Sequence, residues 1–170
     1  MSLYPVFLKL AGERVVVVGG GPVAASKLDG LLAAGAHVTV IEAEFKPAHL
    51  TGARWVVAAA TPEVNRQVAA AATARGIFCN AVDDPEVATA YLGGVVRRGD
   101  VEIAISTGGT APALAGLLRE ALDALLPDDL ERWIDIANEA RREWKKAKVP
   151  MQARRPLLLR ALHKLYPEAA

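Results

Sequence analysis

Val15-Val16-Val17-Val18-Gly19-Gly20-Gly21-Pro22-Val23-Ala24 decides how the rest of the chain is read. Four β-branched residues in a row suit a strand buried on both faces, as in a parallel sheet. Three glycines stop it. Pro22 then opens a helix, because its missing N–H is not needed in a first turn and its φ is already helical. Val23, Leu28, Leu31 and Leu32, interspersed with alanine, carry that helix to Ala34, and Gly35 stands just past its end. His37-Val38-Thr39-Val40-Ile41 is a second strand. Strand, helix and strand within about thirty residues form a βαβ unit.

Inside that unit the glycines match G-x-G-x-x-A, with the flanking strand and helix that the motif requires. Gly19 permits the tight turn. Gly21, lacking a Cβ, lets the backbone approach a pyrophosphate, and Ala24 keeps helix and strand close. Free amides and the helix dipole favour an anion there. Glu42 ends the second strand, where a carboxylate accepts hydrogen bonds from ribose hydroxyls and repels a 2′-phosphate. NAD is therefore expected over NADP. Pro22 and Val23 complete the loop.

Further along, Trp55–Ala60 is a third strand signal, Thr61–Arg75 an alanine-rich helix closed by Gly76, and Ile77–Val82 a fourth strand ending at Asp83-Asp84-Pro85. Val95-Val96 and Val101–Ile105 flank the turn Arg97-Arg98-Gly99-Asp100 and suggest a hairpin or a paired loop, which could give the parallel sheet an antiparallel edge. From Ser106 the period becomes helical. Thr110 is a candidate N-cap before Pro112. Leu114, Leu117, Leu118, Leu122 and Leu125 share one helix. Leu130–Lys148, with Trp133 and Trp144, forms another, Pro150 breaks it, and a last helix runs from about Arg155 to Tyr166. The expected class is α/β: a Rossmann-type parallel sheet followed by an all-helical region.

Composition sets bounds. The 170 residues are 52% hydrophobic and 23% charged, which is globular and not disordered. No apolar run has the length of a membrane span, and Met1–Pro5 lacks the pattern of a signal peptide. A single cysteine, Cys79, fits a reducing cytoplasm and, within an apolar run, a buried inert thiol. His37, His49 and His163 have no ligand spacing, so no permanent metal site is expected. Net charge is +1, yet Arg141–Lys164 holds nine Lys/Arg and one acid, Glu143. Such a stretch attracts polyanions, but it lacks the interleaved aromatics of a nucleic-acid surface.

Asn80-Ala81-Val82-Asp83-Asp84-Pro85, then Arg98-Gly99, then Ile103-Ala104-Ile105-Ser106-Thr107-Gly108-Gly109-Thr110-Ala111-Pro112-Ala113-Leu114-Ala115 stand in order after the glycine loop. With the opening Leu3-Tyr4-Pro5-Val6-Phe7, the chain resembles the precorrin-2 dehydrogenase / sirohydrochlorin ferrochelatase family, which includes the N-terminal half of sirohaem synthase. The resemblance implies a Rossmann domain (1–110), a helical dimerisation region (111–148) and a C-terminal helical segment (149–170). It implies a homodimer and precorrin-2 as tetrapyrrole substrate, beside the composition, from which no nucleic acid or membrane partner is expected. It carries cofactor contacts to Gly19, Gly21, Pro22, Val23, Ala43 and Glu44, and the family's key aspartate to Asp83. Ser106, Thr107 and Gly108 correspond to a loop lining the active site, and Arg119 is one of several arginines suited to the substrate's carboxylates. Asp83, at the end of a parallel strand, is the candidate proton acceptor, and a shielded carboxylate there would suit a general base. Some relatives also insert ferrous iron, and Asp83 is the residue that would serve such a lyase activity.

One departure stands out. Relatives have a further strand and helix after the second strand, whereas only twelve residues separate Glu42 from Trp55 here. A crossover with its helix needs about 10–12 residues before another strand begins. The sheet is expected to be short by one βα unit. That leaves a second reading open: a non-catalytic, dimeric NAD-binding sensor.

Overall fold

Val15–Val18 lie in β1 (Arg14–Val18) of the computed structural model, which describes residues 3–166. Met1 and Ser2 of the opening segment, and the last four residues of the segment expected over 149–170, lie outside the described residues. The first unit comprises the chain up to Leu92 together with Gly108–Thr110. It contains α1 (Pro22–Ala33), β2 (His37–Ile41), β3 (Trp55–Ala58), α2 (Pro62–Thr73) and β4 (Phe78–Ala81). The four strands are parallel, in the order β2-β1-β3-β4.

Alternation across this sheet explains the valine run. Val16 and Val18 face a core made with Val56, Val68, Ala69, Ala72 and Cys79, which α2 covers. Val15 and Val17 face the other side, with Trp55, Val57, Ala24 and Leu31, which α1 covers. A strand apolar at every position is what two covered faces require. The alanines of both helices let them approach closely, and α1 closes with a paired cap. Gly35 N–H reaches Leu32 O at 2.9 Å and Ala36 N–H reaches Leu31 O at 3.1 Å.

The expected shortage of a βα unit is borne out. Between β2 and β3 the chain makes one 3₁₀ turn (Pro47–Leu50) and no strand, so β2 is the edge of the sheet. Leu50, fully buried, anchors that turn in the α2-side core. The opposite edge is closed by an irregular segment: Cys79 N–H donates to Thr89 Oγ1 at 2.8 Å, and Cys79 O accepts from Thr89 and Ala90 N–H.

The second unit holds Gly93–Thr107 and the chain from Ala111 onward. Its hairpin, β5 (Gly94–Arg98) and β6 (Val101–Ile105), is a separate two-stranded antiparallel sheet and not an edge of the parallel one. It belongs with α3 (Pro112–Leu125), α4 (Leu130–Lys146) and α5 (Met151–His163), so the chain divides after Leu92 where the sequence suggested 110. Packing decides this. A Cβ on Gly94 would lie 3.1 Å from Ala115 O, so α3 rests directly on β5, and Arg98 pairs with Asp123 at 2.8 Å. Two helix boundaries also differ from expectation. Ala111, not Thr110, is the N-cap of α3, and Thr107 Oγ1 accepts the Ala111 N–H at 3.3 Å. α5 starts at Met151 and takes Pro156 into its interior. Beyond its end, Tyr166 bonds both Trp133 Nε1 (2.9 Å) and Asp129 (2.8 Å), tying the chain back to α4. No described helix is long and apolar enough to cross a membrane.

Cys79 is fully buried, and burial pushes its thiol from 9.0 to about 11. The folded state therefore holds the neutral thiol. Its contribution is complete below about pH 9 and is lost as pH rises toward 11, where the unfolded chain ionises first. Urea midpoints of wild type and Cys79→Ala should diverge below pH 9 by a constant amount and converge between 9 and 11. A thiol reagent should modify Cys79 only on unfolding.

Candidate functional site

Parallel register brings four strand ends to one rim. Val18 pairs with Ile41 on one side and Ala58 on the other, and Ala58 pairs with Ala81. The residues that follow, Gly19, Glu42, Ala59 and Val82, therefore line up at the carboxyl edge of the sheet. The strand order reverses at β1, since β2 lies to one side and β3 to the other. Ligands of open α/β sheets bind outside the carboxyl ends at such a reversal.

The glycine turn sits at that point. Gly19 N–H donates to Ile41 O at 2.9 Å, and Ala59 N–H donates to Val18 O at 2.8 Å. Gly19 has φ +128°, and a Cβ there would come within 2.2 Å of Ala59 O. Only glycine fits between these two main chains. A Cβ on Gly20 would meet the Glu42 side chain at 3.0 Å, so Glu42 lies against the turn. A Cβ on Gly21 would meet nothing within 4 Å. Gly21 is the N-cap of α1, with no side chain capping the helix, and Ala24 is buried on the sheet side. Pro22, Val23, Ala43 and Glu44 are exposed around it. An uncapped helix start, a bare Gly21 and a carboxylate beside the turn fit the pyrophosphate and ribose of a dinucleotide.

Asp83 follows on the same rim. It is exposed and has φ +58°, a left-handed conformation that aspartate tolerates better than most residues. Burial in this chain does not shield it, contrary to the sequence-based expectation of a sheltered carboxylate. Asp84 is the half-buried neighbour, and its Oδ2 takes Arg66 Nε at 3.1 Å. The two carboxylates thus have different surroundings. Tyr91 OH donates to Pro85 O at 2.8 Å, and a Cβ on Gly109 would lie 3.1 Å from the Tyr91 ring and 3.4 Å from Pro85. Within the first unit, then, the Gly108–Thr110 segment rests on the turn that carries Asp83.

Ser106, Thr107 and Arg119 belong to the second unit. Arg119 pairs with its neighbour Glu120 at 3.2 Å, and its stem lies beside Gly94. Arg97 pairs across the hairpin with Glu102 at 2.8 Å. Among the described residues no three His, Cys, Asp or Glu side chains form a metal-binding group.

Asn65 carries structure that the sequence reading passed over. It is 3% exposed on α2. Its Oδ1 accepts the Ala60 N–H at 2.9 Å, and its Nδ2 donates to Val82 O at 3.3 Å. A signal was present: Asn65, Val68, Ala69 and Ala72 fall at i, i+3, i+4 and i+7, the buried stripe of α2.

A family model described as "Putative NAD(P)-binding" matches residues 6–51 and 41–94. The chain belongs to this NAD(P)-binding family. A second model, "Sirohaem biosynthesis protein central", matches residues 98–125, so the resemblance to the sirohaem family is borne out. The chain is 43% identical over 152 residues to siroheme synthase 1 of Aeromonas salmonicida, covering 76% of this chain and 32% of that protein. It is 38% identical over 180 residues to siroheme synthase 2 of Aeromonas hydrophila, covering 95% and 38%. The chain thus spans between 32% and 38% of the length of these relatives. In fold it is similar to a solved structure of SirC, precorrin-2 dehydrogenase, with TM-score 0.66 and 22% identity over 93% of this chain and 88% of that one.

Gly19 and Gly21 should separate under mutation. Gly19→Ala combines left-handed strain with a main-chain clash and should lower stability by about 3 kcal/mol or more. Gly21→Ala, with φ −83° and open space, should melt like wild type. It should weaken NAD binding at least about tenfold, because its methyl stands where the phosphates approach. Thermal melting and NAD titration of both variants check this.

Proposed function

We propose that the chain is an NAD-dependent precorrin-2 dehydrogenase, converting precorrin-2 to sirohydrochlorin in sirohaem synthesis. What carries the reading is the shared rim: the glycine turn, Glu42 and the Asp83 turn stand at the carboxyl edge of one sheet where its strand order reverses. The relatives named siroheme synthase and the fold shared with a precorrin-2 dehydrogenase support it.

The oxidation removes one hydride and one proton from the macrocycle. NAD, when bound, supplies the hydride acceptor. The amides at the start of α1 and the open space at Gly21 hold the pyrophosphate, and Glu42 takes the ribose hydroxyls and disfavours a 2′-phosphate. Asp83 accepts the proton. Its neighbour Asp84 is already engaged by Arg66, which leaves Asp83 as the carboxylate able to turn to substrate. On the family resemblance alone, Ser106, Thr107, Gly108 and Arg119 are the candidates for further substrate contacts; the pair of Arg119 with Glu120 lies at the surface and is weak.

A homodimer fits the same reading. Leu114, Leu117, Leu118 and Leu125 of α3 are exposed in the single chain, more apolar surface than one helix ordinarily leaves to water. Sedimentation should give a dimer at micromolar concentration, and a monomer would contradict it.

An absorbance assay of precorrin-2 with NAD tests the reaction. Wild type should form sirohydrochlorin. Asp83→Ala should lose about a hundredfold or more in kcat, the usual worth of a positioned proton acceptor, while still binding NAD. Unaltered turnover in Asp83→Ala would contradict the role of Asp83; NAD binding without any turnover in wild type would favour a sensor.

A further inference from the structure

The Asn65 amide reaches two peptides that matter separately. The Ala59–Ala60 peptide presents its carbonyl to Gly19, against which a Cβ would lie at 2.2 Å, and its N–H to Asn65 Oδ1 at 2.9 Å. The Val82–Asp83 peptide presents its carbonyl to Asn65 Nδ2 at 3.3 Å, and its nitrogen begins the left-handed residue Asp83. One planar group therefore holds the main chain behind the dinucleotide turn and the main chain that aims the proton acceptor. Only a side chain that both accepts and donates can do this. Asn65 N–H is itself satisfied by Thr61 O at 2.8 Å, so the helix start fixes where the amide stands. Aspartate of the same size keeps the acceptor toward Ala60 but sets a second oxygen against the Val82 carbonyl. Leucine removes both bonds, and the part-buried Ala60 N–H and Val82 carbonyl then lose the group that fixes their positions.

Resting on the dehydrogenase reading, we propose that Asn65 is a positioning residue for the oxidation: it sets Asp83 relative to the dinucleotide turn by clamping the Val82–Asp83 and Ala59–Ala60 peptides to one amide. It touches neither substrate nor cofactor and acts through the main chain.

The two halves of the clamp can be read apart in the purified full chain. Asn65→Asp, measured at pH 8, should keep NAD affinity within about threefold of wild type while kcat falls at least about tenfold, since the half toward Ala60 survives and the half toward Asp83 does not. Asn65→Leu should lose both. A buried carboxyl is protonated more readily, and in that form its O–H donates to Val82 O and restores the clamp. The ratio of Asn65→Asp kcat to wild-type kcat should therefore climb toward one as pH is lowered, a recovery that loss of packing would not give. In the Asp83→Ala background Asn65→Asp should cost less than about twofold, because both act on one step. Asn65→Asp with at least half of wild-type kcat at pH 8, a pH-independent ratio, or an equal loss in the Asp83→Ala background would each overturn the proposal. Should Asn65→Asp not fold, Asn65→Ser, which removes the amide without adding charge, is expected to show the same fall in kcat at pH 8 in the wild-type background and less than about a twofold loss in the Asp83→Ala background, and its retention of kcat in the wild-type background would be equally fatal. Amide hydrogen exchange needs no turnover: protection of the Ala60 N–H should drop at least about tenfold in Asn65→Leu and persist in Asn65→Asp. Unchanged protection in Asn65→Leu sinks the clamp whatever the enzyme does. Absence of precorrin-2 oxidation in wild type would instead overturn the dehydrogenase reading, and with it the role assigned to Asn65, even if exchange shows the clamp to be present.

Discussion

The close approach of Gly19 to the Ala59 carbonyl is the constraint on which the first unit depends. Two parallel strands end side by side at the point where the sheet changes direction, and the first must turn away at once into a helix. Any side chain at Gly19 would overlap the neighbouring main chain, with a Cβ only 2.2 Å from Ala59 O. Because the turn is so tight, α1 begins immediately, and its uncapped N-terminal amides face the rim without further chain to cover them. Glu42 then lies against the turn because β2 ends in register with β1. Backbone geometry, more than side-chain chemistry, makes this a place for a dinucleotide.

The shortened sheet follows from the same economy. With a single 3₁₀ turn between β2 and β3, Leu50 packs into the α2-side core. The rim is left intact, since β1, β2, β3 and β4 all keep their carboxyl ends level. β2, from which the shortened connection leaves, is the edge strand. The reduction is therefore compatible with the activity proposed and gives no separate support to a sensor.

Polar groups inside the first unit are few: Trp55 Nε1 is buried without a hydrogen-bond partner among the described residues, whereas the two buried asparagines are bonded. Asn65 spans the ends of β3 and β4. Asn80, also buried, donates to Ala90 O at 3.0 Å and helps close the sheet edge. Thr89 takes the Cys79 amide. These bonds hold irregular segments against regular strands, which is where a parallel sheet has main-chain groups to satisfy. Asp83 stands outside this network by its exposure, and Asp84 inside it through Arg66. A paired sequence of two aspartates is thereby split into one structural and one available carboxylate.

The sequence alone determined the βαβ unit nearly to the residue, because valine runs, glycines and Pro22 act through local sterics and a two-residue or 3.6-residue period. It determined the dinucleotide character of the turn and, through the count of residues between Glu42 and Trp55, the missing unit. The order of motifs pointed to the family. Tertiary structure alone decided what depends on contacts between distant segments: that the hairpin joins α3 and not the parallel sheet, that Thr107 Oγ1 accepts the N–H of Ala111 at the start of α3, that Asp83 is exposed and left-handed, and that Asn65 bridges two strand ends. A period shows which side of a helix is buried. It does not show which main-chain groups wait on the other side, and a polar residue on an apolar stripe acquires its meaning only from those groups.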